Sequence, residues 1–326
     1  MRNTRTLRAA AFGLLAALAP AFALAQAYPA KPIRIIVPFP AGATTDIIAR
    51  LVAGRMTETI GQPVVVENRA GAGGQLGAEV VAKAAPDGYT ILMHNVTFPM
   101  ASVAAQLANR PLYNIDTDFA GVSIAVYVPL VITASPTIPP KDLKELATLL
   151  QNNKSLHYSY GSTGPGSFMH VIGEAFCREA KIQMTHVPMK GAAPLKQELL
   201  AGRLQVGGDQ LSSSLADIRS GALRALATNA PRRVAALPDV PTVRELGYPI
   251  LEAEGWNGLF APAKTPREII DRLQRETAAA VRHPDVSKRL TDIAAEPVGS
   301  SPAEQDAMLR RQVDQFKPII KEMKLD

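Results

Sequence analysis

A chain of 326 residues, 47% of them apolar, is long enough for two domains of ordinary size, each burying its own core. The formal net charge of +6 is spread along the sequence, and the tight basic pair Arg232-Arg233 has no aromatic residue interleaved, which argues against a nucleic-acid surface. The single cysteine, Cys177, rules out an internal disulfide, so stability has to come from burial.

Arg2, Arg5 and Arg8 precede an apolar run from Ala9 to Phe22 and then Ala23-Leu24-Ala25, the three regions of a cleavable export signal. The run is too short to span a bilayer, and no Arg-Arg pair marks the twin-arginine route. Cys177 lies too far along to be a lipidated first residue. Residues 1–25 therefore read as a signal peptide, with a second cleavage point after Ala27. Its removal takes three arginines from the 35 basic residues, against 29 acidic ones. No later apolar stretch approaches the roughly 20 residues of a membrane helix, so a soluble monomer in the periplasm of a Gram-negative bacterium is expected.

Strand and helix signals then alternate. Ile33 to Val37 predicts a buried strand, and Ile47, Ile48, Leu51 and Met56 recur at helical spacing across 44–60. Next come a strand at 64–67, the run Gly71-Ala72-Gly73-Gly74, a helix at 75–85, the turn Pro86-Asp87-Gly88 and a strand at 89–93. This order predicts a doubly wound parallel sheet. Residues 122–134 read as one long extended segment crossing into a second lobe, which opens with a helix at 143–152. Strands at 156–160, 184–188, 204–207 and 225–228 then alternate with helices at 167–180, 194–201 and 212–220. Glu254 to Pro262 is a second extended crossing, and helices at 267–283, 286–293 and 302–321 finish the chain on the first lobe. Two doubly wound α/β lobes joined by two crossing strands are expected, from 26–126 with 255–326 and from 127–254. Such lobes close by hinge motion. The alternative is one continuous α/β domain.

Two loops carry the chemistry. Pro38 to Asp46 leads from the first strand into the first helix, where unpaired N–H groups and a partial positive charge can hold a carboxylate without Lys or Arg. Phe39, Ala41, Ala43, Thr44, Thr45 and Asp46 are its candidate residues; the competing reading makes Thr44 or Thr45 a helix cap and Asp46 a complement to the helix dipole. Tyr160 to His170 repeats the pattern in the second lobe, with Ser162, Thr163, Gly164, Ser167 and His170 as candidates. Asn95, Lys190 and Asp209 follow strand ends where open sheets bind ligands; Lys190 suits a second carboxylate and Asp209 an amine or hydroxyl, and each also reads as a cap or a solvated charge.

Rival motifs are weaker. Gly71 to Gly77 resembles a dinucleotide fingerprint, but its third glycine falls one residue late and the strand at 89–93 ends without the ribose-binding acid. An α/β oxidoreductase using that loop is the alternative function. No G-x-S-x-G or Walker lysine occurs, and His170 with Glu174 lacks the second histidine of a zinc motif. No catalytic residue, metal or cofactor is expected.

Val37-Pro38-Phe39 with Ala41-Gly42 and Thr45-Asp46, Glu67-Asn68-Arg69, Pro86-Asp87-Gly88-Tyr89-Thr90, Tyr160-Gly161-Ser162, His186-Val187-Pro188, Leu237 to Thr242 and Trp256 to Pro262 together resemble the Bug-type receptors of tripartite tricarboxylate transporters. The resemblance implies a type II periplasmic-binding-protein fold and a receptor for di- and tricarboxylates, acidic amino acids or aromatic acids. Its partners would be membrane permease subunits or a sensor kinase. It also implies that the two loops hold one carboxylate through backbone groups and water. Ala43 and Met189 depart from the usual glycine and tyrosine, which leaves ligand identity open.

Overall fold

The computed structural model describes residues 28–323; the signal read at 1–25 lies outside them. Two α/β lobes are present. In the first, β1 (Ile33–Val37) lies between β2 (Val64–Asn68) and β3 (Thr90–Asn95), parallel to both. β10 (Trp256–Pro262) runs antiparallel between β3 and β4 (Phe119–Tyr127), and β11 (Glu296–Pro297) edges β4. The second sheet has the order β7 (Met184–Pro188), β6 (Tyr158–Ser162), β8 (Val206–Gln210), β5 (Leu130–Ala134) and β9 (Arg224–Thr228). There β6 is parallel to β7 and β8, and β5 is antiparallel to β8 and β9.

Both sheets are therefore mixed, which corrects the all-parallel expectation. The crossing strands cause this: β10 and β5 enter their sheets from the opposite lobe and run against their neighbours. The segment 122–134 is two strands in different sheets, because Pro129 offers no N–H to a continuing ladder. Where the crossings pass side by side, Val128 N–H donates to Gly255 O at 2.9 Å. A Cβ on Gly255 would lie 2.1 Å from Val128 O, so only glycine fits.

Strand β1 is apolar on both faces because both are covered. Ile33, Ile35 and Val37 pack on one side with α1 (Thr44–Ile60), α8 (Arg267–Arg282) and α9 (Pro284–Asp292). Ile36 packs on the other with α2 (Gln75–Ala82), α3 (Thr97–Leu107) and α10 (Pro302–Lys321). Helix α1 buries Ile48, Leu51, Val52 and Met56 along one stripe and ends at Gly61 in the left-handed region (φ +88). The second lobe carries α4 (Leu143–Asn152), α5 (Phe168–Glu179), α6 (Ala192–Leu200) and α7 (Leu215–Arg219).

Helix α3 has no counterpart in the sequence reading. It lies between the lobes: Phe98 belongs to the first core, while Met100 and Val103 belong to the second. The last helix does not stay on the first lobe either. Met308 and Leu309 of α10 pack in the first core, and Phe316, Ile319 and Ile320 in the second.

Candidate functional site

The loop after β1 turns at Gly42 (φ +81), a conformation other residues rarely adopt. Ala43 is the N-cap of α1 and no side chain caps that end, so the first-turn N–H groups are free of the cap that Thr44 or Thr45 was read to provide. Asp46 holds the loop's shape. It accepts from Gly42 N–H at 2.9 Å and from Asn68 Nδ2 at 2.8 Å, and pairs with Arg50 at 3.0 Å. Burial acts to raise its pKa, but the bonds from Arg50, Gly42 and Asn68 outweigh it and hold the carboxyl below its usual range.

Behind the loop runs a buried amide relay. Asn95 Nδ2 donates to Thr45 Oγ1 at 3.0 Å, Thr45 Oγ1 to Asn257 Oδ1 at 2.8 Å, and Asn257 Nδ2 to Gln210 Oε1 at 3.1 Å. Gln210 Nε2 also donates to Trp256 O at 3.3 Å. Since Gln210 ends β8 and Asn257 sits in β10, the relay ties the second lobe to the first. Beside it, the Oγ1 of Thr44 is buried and has no hydrogen-bond partner among the described residues.

Between the lobes lies a narrow slot, partly open to solvent, whose free volume is about 10 Å³, room for about one water. Phe39, Ala43, Thr44, Thr45 and Asn95 line it from the first lobe, and Thr163, Ala192, Asp209 and Gln210 from the second. The slot thus gathers Phe39, Ala43, Thr44, Thr45, Asn95, Thr163 and Asp209 from the sequence candidates. Ala41, Asp46, Ser162, Gly164, Ser167, His170 and Lys190 do not line it. The helix that opens on the slot from the second lobe is α6, whose N-cap Gly191 (φ +111) leaves its start uncapped, rather than α5. A small residue after a glycine at Ala192 is the one signal that pointed there; Gln210 carried none beyond its place at a strand end.

Ser162, Gly164 and His170 shape the second loop. Ser162 Oγ bonds His186 Nε2 at 2.7 Å and receives Gly164 N–H at 3.2 Å. Gly166 N–H donates to His170 Nδ1 at 2.9 Å, and the His170 and His186 rings stack 4.1 Å apart. Burial, then the neighbouring His170, pushes His186 down to about 4, and burial lowers His170, so both rings are neutral at neutral pH. Ser167 caps no helix end with its side chain, and its buried Oγ is unpartnered. Lys190 is exposed.

Asp209 stands apart. No cation pairs with it among the described residues; burial pushes its carboxyl up to about 6, with the Gln210 backbone N–H partly opposing the shift.

Three glycines of the run that resembled a dinucleotide loop are closed off by neighbouring protein atoms. A Cβ on Gly73 would lie 2.5 Å from Pro165 O, one on Gly74 2.7 Å from His94 Nε2, and one on Gly77 2.6 Å from Pro38. The backbone approach that a pyrophosphate needs is filled by the second lobe and by the chain's own core. The loop is a surface on which the lobes meet.

Two mixed α/β lobes, two crossing strands and a slot between them define a periplasmic solute-binding receptor. The model of the tripartite tricarboxylate transporter family receptor matches residues 48–325, and the chain belongs to that family. The chain is 34% identical to BugT of Bordetella pertussis over 91% of each protein. Among solved structures it is similar to the periplasmic binding protein BugD, with 35% identity and a TM-score of 0.82 over 90% of this chain and 98% of that one. It is also similar to MatC from Rhodopseudomonas palustris with bound malate, at 33% identity and a TM-score of 0.83 over 90% of this chain and all of the other. The family is one of solute-binding receptors rather than enzymes.

Proposed function

We propose that this chain is a non-catalytic receptor that closes its lobes on a small carboxylate and presents the closed form to the permease subunits of a tripartite transporter. The observation that carries the reading is the uncapped start of α1 opening on the slot, with the Thr44 hydroxyl buried and unpartnered beside it. A helix N-terminus attracts an anion without a basic side chain, and an unpaired buried hydroxyl costs free energy unless a ligand satisfies it. Phe39, Ala43, Thr44, Thr45 and Asn95 would hold the acid from the first lobe and Thr163, Asp209 and Gln210 from the second. The malate seen in the related MatC supports a di- or tricarboxylate, and acidic amino acids and aromatic acids remain in the class. The sequence signal at 1–25 supports export to the periplasm of a Gram-negative bacterium.

A thermal-shift screen of malate, citrate, aspartate, glutamate and benzoate on the purified protein tests the reading, since a ligand specific for the folded state raises stability by mass action. At least one acid is expected to raise the Tm. Stabilisation by NAD or NADP alone would overturn the receptor reading.

A further inference from the structure

Resting on that reading, we propose that the slot takes up one proton together with its carboxylate ligand, and that this proton is shared between the ligand and the side chain of Asp209. Four observations meet here. Asp209 and the uncapped start of α1 line the same slot from opposite lobes. Among the described residues no lysine, arginine or histidine lines the slot. Among the described residues no ion pair engages Asp209, and the neighbouring backbone N–H of Gln210 only partly favours its charged form. The slot is narrow enough, with room for about one water between its walls, that an acid held at α1 also lies near the facing wall.

Two ionised carboxyl groups in one such slot repel, and the usual resolution is that one of them keeps a proton. The helix starts at α1 and α6 attract the ligand's own charge, Lys190 in the loop before α6 is exposed, and the ionisable groups on the elements packed against β8 are engaged or neutral. Strands β5 and β10 carry no ionisable side chain. In β6, Tyr160 donates to Glu174 of α5, and Tyr158 is only pushed further from ionising by burial. In α5, His170 is held neutral by burial. In α6, Lys196 is spent on Asp217 at 3.0 Å and Glu198 on Arg203. On the facing loop, Asp46 is spent on Arg50. Burial has already brought Asp209 within reach of protonation, at about 6, and an arriving anion raises it further. The proton comes from solvent, the ligand stays a carboxylate, and an O–H···O bond forms with no covalent bond to carbon changed.

Calorimetry on the whole protein at about pH 6 and about pH 8, with malate, citrate, benzoate, aspartate and glutamate as probes, tests this in phosphate and in Tris. For an acid that binds, affinity is expected to fall about tenfold for each pH unit above about 6. At about pH 8, where free Asp209 is ionised, the binding enthalpies in the two buffers should differ by the uptake of close to one proton. Asp209→Asn should lose the pH slope and the buffer difference. A thermal melt shows whether that variant folds; if it does not, the buffer comparison on the unaltered protein decides alone. Affinity independent of pH, with equal enthalpies in both buffers, overturns the proposal. So does binding confined to the two amino acids and abolished by Asp209→Asn, which would make Asp209 an ionised partner for an ammonium group. If folded protein binds no probe at either pH, the carboxylate-receptor reading itself fails, a different result from binding without a slope.

Discussion

On the first lobe, Asp46 sits in the opening turn of α1 and accepts from a backbone N–H, a side-chain amide and a guanidinium; on the second, Asp209, one residue before the end of β8, lines the slot with no cation beside it among the described residues. The same side chain is held below its usual pKa in one place and pushed above it in the other. The partners decide this, because burial acts to raise both. Asp46 is committed to the protein and fixes a loop. Asp209 is left uncommitted, which is how a residue reserved for a ligand looks before the ligand arrives.

Asp46→Ala should break this contrast most severely. It strands Gly42 N–H and leaves Asn68 Nδ2 only its bond to Phe39 O, and we expect a loss of about 3 kcal/mol in stability together with loss of carboxylate binding, read by denaturant unfolding and calorimetry. The milder Asp46→Asn gives the sign. Because the folded-state pKa is depressed, the stability from Asp46 is present above the ordinary value of 3.8 and is lost as pH falls through the folded-state value. The Tm gap between the unaltered protein and Asp46→Asn should be widest near neutrality and close in acid. For Asp209 the sign reverses. Its raised pKa makes the ionised form a burden that sets in as pH rises from 3.8 through about 6, so Asp209→Asn should melt higher than the unaltered protein near pH 8 and lose that advantage near pH 4.

The next largest effect concerns closure. A Cβ on Gly166 of the second lobe would lie 2.9 Å from Ala101 Cα on α3, so Ala101→Leu puts bulk where the lobes meet. Overpacking of this kind costs about 1–3 kcal/mol. In a hinged receptor the cost should fall on closure and appear as affinity at least tenfold weaker, with the melt little changed. A large fall in Tm with unchanged affinity would mean that α3 welds the lobes together.

The helix that carries Ala101 was invisible in the sequence, and the reason is physical. From Thr97 to Ala105 every residue of α3 is buried, so it has no polar face to set up a helical period, and Pro99 in the first turn suggests a loop. By contrast α1 and α8, each with one wet face, were legible within a residue or two. Strand direction was also hidden. Apolar runs such as Leu130 to Ala134 show that a strand is buried but not which way it runs. At the site, the loop beginning with Phe39 could be read because a glycine turn between strand and helix is a local feature. Gln210 and Ala192 could not, since their role depends on which lobe they face after folding. His170 and Ser167 were drawn in by an analogy between two similar loops; in the structure His170 accepts from Gly166 N–H, while Ser167 Oγ is buried without a partner among the described residues.

Asn257→Ala tests whether the relay behind the slot matters to both lobes. It leaves the Thr45 hydroxyl without its acceptor and Gln210 Oε1 without its donor, at an expected cost of about 1–2 kcal/mol in stability, and it should weaken carboxylate binding because Thr45 lines the slot. If stability falls and affinity does not, the relay is only a brace between lobes.

The smallest expected change in the fold is the most telling about the site. Thr44→Val replaces a hydroxyl that has no partner among the described residues with a methyl of nearly the same shape, so stability should hold or rise by up to about 1 kcal/mol. If the hydroxyl exists to donate to a ligand, the same substitution should weaken carboxylate binding about fivefold to tenfold, the usual net worth of one hydrogen bond. A group that costs the empty protein a little and repays it only when the slot is filled is what separates a binding residue from a structural one. Equal affinity in Thr44→Val would move the anion contact away from the start of α1, leaving α6 to hold the acid.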